Sequence, residues 1–202
     1  THEMGAKLIR SAYSTIVREA SDASSALLDR DGQAVAQAEL MIQQLGSLSA
    51  TFGPCAELHP VDSLVEGDFY INNDPFHGGQ HLPDVFIFSP IFFEGELMGF
   101  GATVAHHIDI GGGAPGLNMG AREIYQEGLI IPPSKYNVER DWDGGPFERL
   151  IATNIRVPDQ TIGDLNAQFA GNAIGAARVH QLCRKYGPEA VKETMASLID
   201  YS

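Results

Sequence analysis

Two adjoining runs of bulky apolar residues, 85–93 and 96–106, constrain the fold of this chain more than any other feature. Both are rich in Phe, Ile and Val, residues that suit a pleated, half-buried surface, and they meet at Glu94-Gly95. They predict a long antiparallel hairpin whose second strand ends at His106-His107. Residues 25–29 and 33–37 flank Arg30-Asp31-Gly32 and predict a shorter hairpin, with Gly32 supplying a positive φ for the turn. A further strand is expected over 68–72. Apolar residues at helical spacing (Met4, Leu8, Ala12, Ile16, Val17) predict a helix over 3–19, and a second is expected over 42–58, ending before Pro60. Thr161-Ile-Gly-Asp164 resembles a capping box ahead of a helix over 165–186, whose small residues (Ala167, Ala170, Gly171, Gly175, Ala176) permit close helix packing. Gly187-Pro188 ends that helix and starts another. The expected class is α+β: a mainly antiparallel sheet with flanking helices and long Gly/Pro-rich loops. A sub-boundary is expected near 140–160, ahead of a helical region 161–202.

The hairpin matters for chemistry because of what lies at its ends. The strand over 68–72 runs into Asn73-Asp-Pro-Phe-His-Gly-Gly-Gln-His-Leu-Pro-Asp84, and the hairpin closes on Ala105-His-His-Ile-Asp109. Histidine and carboxylate together form the ligand set that Zn²⁺, Mn²⁺ or Fe²⁺ accepts. Pro83 and Gly78-Gly79 bend the loop, so His81 and Asp84 can converge on one ion. His106 and His107 alternate across a strand, so one faces a shared site and the other faces away. Hydrogen-bonded His/Asp pairs that simply hold a turn are the competing reading for each histidine taken singly. Asp74 can equally be an Asx-turn residue, and Asp22, by its context alone, a helix cap. Residues 108–133, with Gly111-Gly-Gly113, Pro115, Gly116 and Pro132-Pro133, predict an ordered irregular loop of functional type.

Composition excludes several classes. A net charge of −13 without a Lys/Arg cluster argues against nucleic acid. No apolar run is long enough for a membrane span, because Pro90, Glu94, Gly95 and Glu96 interrupt the most hydrophobic stretch. The opening residues lack a secretion leader, and two cysteines, Cys55 and Cys183, are too few for a disulfide scaffold, so a cytoplasmic location is expected. Ser24, Ser25 and Ser47 stand in no nucleophile elbow, and neither glycine cluster is a Walker or dinucleotide motif. If ATP is used, another chain or a further part of this one must bind it.

At the level of whole motifs the chain resembles the hydantoinase B/oxoprolinase family. The matching stretches include Ser21-Asp-Ala-Ser, Leu28-Asp-Arg-Asp-Gly-Gln, the whole segment 73–84, Ala105-His-His-Ile-Asp-Ile-Gly-Gly, Glu123-Ile-Tyr-Gln-Glu-Gly, Asn154-Ile-Arg-Val-Pro and Gly163-Asp-Leu-Asn-Ala-Gln. The resemblance implies the amino-terminal, metal-carrying portion of a longer subunit that works in a hetero-oligomer with a hydantoinase A-type ATP-binding subunit. That partner phosphorylates a carbonyl oxygen, and the B-type part completes hydrolysis of a cyclic amide; some relatives instead carboxylate ketones. Carried over by motif, the metal ligands are Asp22, His81, Asp84 and His106, for Zn²⁺ or Mn²⁺ with Fe²⁺ as a further candidate. His107, Asp109 and Asp74 are the catalytic or orienting candidates. Two positions depart from the pattern: Ala23, where Phe is frequent, and Gln44, where His precedes Leu-Gly-Ser. Both bear on substrate identity. A non-catalytic interaction domain whose His/Asp loops are turns is the contrasting reading.

Overall fold

The computed structural model describes residues 1–202 apart from Glu39, Leu117 and Ser202 and the side chains of Ile42, Gln43 and Leu45. Leu117 falls in the expected 108–133 loop and Ser202 ends the last expected helix, so at these points the expectations lie outside the described residues. The strands are β1 (Ala23–Leu28), β2 (Ala34–Gln37), β3 (Asp68–Asn72), β4 (Asp84–Phe93), β5 (Glu96–His106) and β6 (Ser134–Asn137). Among the described residues they form one sheet in the order β2-β1-β5-β4-β3-β6, antiparallel throughout. The helices are α1 (His2–Ser11), α2 (Thr15–Arg18), α3 (Ile42–Leu58), α4 (Val138–Asp141), α5 (Pro146–Asn154), α6 (Pro158–Tyr186) and α7 (Pro188–Tyr201). The class is α+β, as the sequence predicts.

Alternation along the long hairpin decides what covers each face. Phe86 and Phe88 of β4, with Phe100, Ala102 and Val104 of β5, pack against Leu48, Phe52 and Cys55 of α3. Val85 and Ile87 point the other way, into a cluster with Phe147 and Ile151 of α5 and Leu165 of α6. Burial on both faces explains why these strands read as nearly continuous apolar runs. Each such side chain contributes about 1.5–3 kcal/mol of transfer free energy. The expected small-residue packing is present on the second face: a Cβ at Gly175 would fall 2.8 Å from the Met4 sulfur of α1, and one at Gly171 would fall 3.2 Å from the Met4 carbonyl oxygen. β5 takes part as well, because a Cβ at Gly101 would lie 3.1 Å from the Asn172 backbone of α6.

Two expectations about helices are corrected together. The helix over 3–19 is two helices, since Ala12 is extended (φ −66°, ψ 151°) and Ser14 caps α2 by accepting from the Val17 N–H. The break is held from outside: the Asp164 carboxylate accepts from the N–H groups of Tyr13 (2.7 Å) and Ser14 (3.0 Å). Asp164 therefore does not close a capping box on its own helix. α6 starts earlier, at Pro158, and Thr161 inside it donates its hydroxyl to the Asp109 carbonyl at 2.8 Å. Strand β6 is an addition to the expected elements; Ser-Lys-Tyr-Asn is short and only half-buried, so it carries little strand signal. Among the described residues no helix is long and apolar enough to cross a membrane.

Candidate metal centre

The antiparallel pairing brings three strand ends to one edge of the sheet. Asp84, the first residue of β4, pairs with His106, the last of β5, and the His106 N–H donates to the carbonyl of Asp22, just before β1, at 3.0 Å. Ser21, immediately ahead of Asp22, holds φ at 56°, an uncommon conformation for a residue with a side chain. His81 arrives from the bent loop. Gly78 of that loop sits at φ 96° with the Ala50 carbonyl oxygen of α3 only 2.5 Å from where a Cβ would be, so glycine is needed for the loop to dock.

Three of the four expected ligands, His81, Asp84 and His106, converge, and Asp22 stands beside them. His81 Nε2 is 3.3 Å from Asp84 Oδ2, His106 Nδ1 is 3.4 Å from Asp84 Oδ1, and His106 Nδ1 is 3.9 Å from Asp22 Oδ2. One ligand-type atom from each of His81, Asp84 and His106 lies within 4.8 Å of the other two. Donors on a tetrahedral ion with bonds of about 2.1 Å stand roughly 3.4 Å apart, which is close to the 3.3 and 3.4 Å that separate Asp84 from the two imidazoles. The side chains of Asp84 and His106 are 3% and 9% exposed, while those of His81 and Asp22 are 26% and 30% exposed. The cluster thus has a buried floor and a rim open on one side.

Electrostatics divides the two carboxylates. Burial alone would raise the Asp84 pKa, but the imidazoles of His106 and His81 outweigh it and bring the group down to about 2. Asp22 moves upward, chiefly through burial and also through the charge of Asp84, against the pull of both histidines. His81 is raised above the ordinary imidazole value, first by its bond to Asp84. Two carboxylates and two imidazoles held this closely are a donor set of the kind a divalent cation accepts.

The remaining predicted residues are placed around this cluster and not in it. His107 faces the other side of the sheet, fully buried, as strand alternation requires. Its Nε2 lies 3.0 Å from Gln168 Oε1, and because the Gln168 amide nitrogen already donates to the carbonyls of Val85 and Thr103, that oxygen accepts and His107 Nε2 carries the proton. Burial lowers the His107 pKa. Its backbone N–H donates to the Pro83 carbonyl at 2.8 Å and steadies the residue before Asp84. Asp109, buried, accepts from Gly111 N–H and from the Arg156 guanidinium, each at 3.0 Å, and so ties the 108–133 loop to the start of α6. Asp74 takes the Asx-turn role: Oδ1 accepts from Phe76 N–H at 3.0 Å and Oδ2 lies 2.7 Å from His77 Nδ1.

Two residues that sequence reasoning did not place at the site stand beside it. The Gln44 amide, on the first turn of α3, donates to Asp22 Oδ1 at 2.9 Å and reaches Asp84 Oδ1 at 3.5 Å. Glu127, from the 108–133 loop, accepts from Leu82 N–H at 3.4 Å, and its charge contributes to raising His81. Only the departure at Gln44 from the resembled pattern pointed to the first, and only the resembled stretch Glu123-Ile-Tyr-Gln-Glu-Gly, which contains Glu127, to the second.

An open α+β sheet with a His/Asp cluster of metal-ligand type at its strand ends defines the class. Within it, the family described as Hydantoinase B/oxoprolinase matches residues 1–202, and the chain belongs to that family. It is 35% identical over 99% of its length to a putative D-/L-hydantoinase B-type subunit from Pseudomonas sp. (strain NS671), covering 34% of that protein. It is similar to the crystal structure of the ATP-dependent caprolactamase from Pseudomonas jessenii, with 33% identity, a TM-score of 0.85, and coverage of 97% of this chain and 34% of that one. A nucleotide-free acetone carboxylase structure shares the fold at a TM-score of 0.86 and 22% identity, over 98% of this chain and 26% of that one. The chain thus spans about a third of the length of the curated relatives it matches first, 36% and 34%.

Proposed function

We propose that this chain carries the divalent-metal centre of an ATP-dependent enzyme that hydrolyses a cyclic amide. The observation that carries the proposal is the convergence of His81, Asp84 and His106, with Asp22 3.9 Å from His106, on one partly open point at the strand ends. When bound there, Zn²⁺ or Mn²⁺ supplies Lewis acidity and lowers the pKa of water toward neutrality. The protein's own residues do the rest. Asp84 and His106 form a desolvated floor, where electrostatic interactions are stronger than in bulk water. Asp22 and His81 line the open rim, the side from which substrate reaches the centre. His107, Asp109 and Asp74 work through position: they fix Pro83, the 108–133 loop and the turn after β3.

Family membership supports the reaction class. A cyclic amide resists water through resonance, and phosphorylation of its carbonyl oxygen provides a leaving group and an electrophilic carbon. By resemblance to the family, ATP is assigned to a hydantoinase A-type partner and the working form to a hetero-oligomer, in keeping with the relative named as a B-type subunit. The relatives named as a hydantoinase B-type subunit and an ATP-dependent caprolactamase favour amide hydrolysis over ketone carboxylation, for which the support is likeness of fold.

Elemental analysis of the chain purified with its partner tests the metal centre. About one equivalent of a transition metal is expected, with His81→Ala and His106→Ala each losing it. Metal-free wild type, or variants that keep both metal and partner activity, would leave only an interaction domain.

A further inference from the structure

We infer that Gln44 is a positioning residue of the metal centre, its amide holding the carboxylates of Asp22 and Asp84 in one shared orientation. The inference rests on the reading of the His/Asp cluster as a cation site and adds a fifth residue to it. Gln44 comes from α3, on the face of the sheet opposite α6, and is 2% exposed. Its Nε2 is 2.9 Å from Asp22 Oδ1 and 3.5 Å from Asp84 Oδ1, so one NH₂ group bridges the two acids that the β1–β5–β4 pairing brings together. Those acceptors fix the amide: the nitrogen must face the carboxylates, since an oxygen there would meet two more oxygens.

The cost of this arrangement is visible in the other half of the amide. Oε1 is buried and finds no hydrogen-bond partner among the described residues. A residue kept for packing alone would be aliphatic here, since burying an unpaired carbonyl costs free energy. What the amide provides is control of two carboxylates. Asp22 precedes its strand next to a residue at positive φ, and its Oδ1 is held by the Gln44 amide. By holding one oxygen of each acid, Gln44 leaves Asp22 Oδ2 and Asp84 Oδ2 turned toward His106 and His81. Residues that orient ligands in this way commonly change metal affinity by about 10–100-fold when removed.

The test uses Co²⁺ as a spectroscopic probe on the chain, with Zn²⁺ affinity measured by competition. Wild type, Gln44→Met, Gln44→Glu and His106→Ala are compared, and metal-free thermal melts establish that each is folded. Gln44→Met keeps side-chain length and apolar volume but removes the donor; binding at least tenfold weaker and an altered Co²⁺ visible spectrum are expected. Gln44→Glu replaces the donor by a carboxylate and is expected to alter the same spectrum, which decides the matter should the Met variant not fold. Affinity within twofold of wild type and an unchanged spectrum in the folded variants would overturn the inference. Equal binding by wild type and His106→Ala would instead overturn the metal centre itself, so the two failures are distinguishable.

Discussion

Single residues in this protein do work that their identity does not announce. Asn73 is the clearest case. Fully buried, it donates to the carbonyls of Leu82 (2.7 Å) and Leu129 (3.0 Å) and accepts from the Ile131 N–H (2.7 Å), so one side chain staples the His81-Asp84 loop to the 108–133 loop. Asn73→Ala leaves two buried backbone groups and one part-buried one without this partner, and a loss of about 2–4 kcal/mol in unfolding free energy is expected by urea denaturation. Metal affinity should fall with it, because the loop that presents His81 loses its anchor. The ligand types themselves were legible from the sequence. The histidines and aspartates stood out because imidazole and carboxylate gathered at Gly/Pro-rich strand ends are a recognisable donor set. Asp22, Gln44 and Glu127 were not legible by context, since each becomes part of the site only through neighbours distant in sequence. Asp22 entered by resemblance, and Gln44 only as a departure from a pattern.

Among the elements, the β4–β5 hairpin and α6 act as one unit. Their contact depends on the absence of a side chain at Gly101, where the Asn172 backbone of α6 comes within 3.1 Å of the place a Cβ would occupy. Gly101→Val must push α6 outward, straining the buried bonds from Gln168 and Asn172 to the strands; a loss of roughly 1–3 kcal/mol is expected from chemical denaturation. The hairpin was legible because apolar runs bounded by a turn signal carry their own pairing. The break between α1 and α2 was not. The apolar spacing over 3–19 is continuous, and the interruption is imposed by Asp164, some 150 residues away, which captures two backbone N–H groups. A local pattern cannot report a cap supplied by another element.

For the whole molecule, an acidic chain covering about a third of its relatives presents one partly open cluster at a sheet edge. Under the proposed function, the chain assembled with its ATP-binding partner and supplied with Mg²⁺-ATP, but stripped of transition metal, should form no ring-opened product. Adding Mn²⁺ or Zn²⁺ should restore it. Product formation and ATP turnover should also be indifferent to bicarbonate; dependence on it would move the assignment to a carboxylase. The sequence by itself determined the principal strands, the α+β class, the family and the donor types, because these follow from local periodicity and from motifs contiguous in the chain. Tertiary structure alone decided which donors share a point. Antiparallel pairing set Asp22, Asp84 and His106 side by side, strand alternation turned His106 toward them and His107 away, and α3 delivered Gln44 between the two acids. Distances of 3 to 4 Å between residues up to 84 positions apart are fixed by strand register and helix packing, which no local pattern encodes.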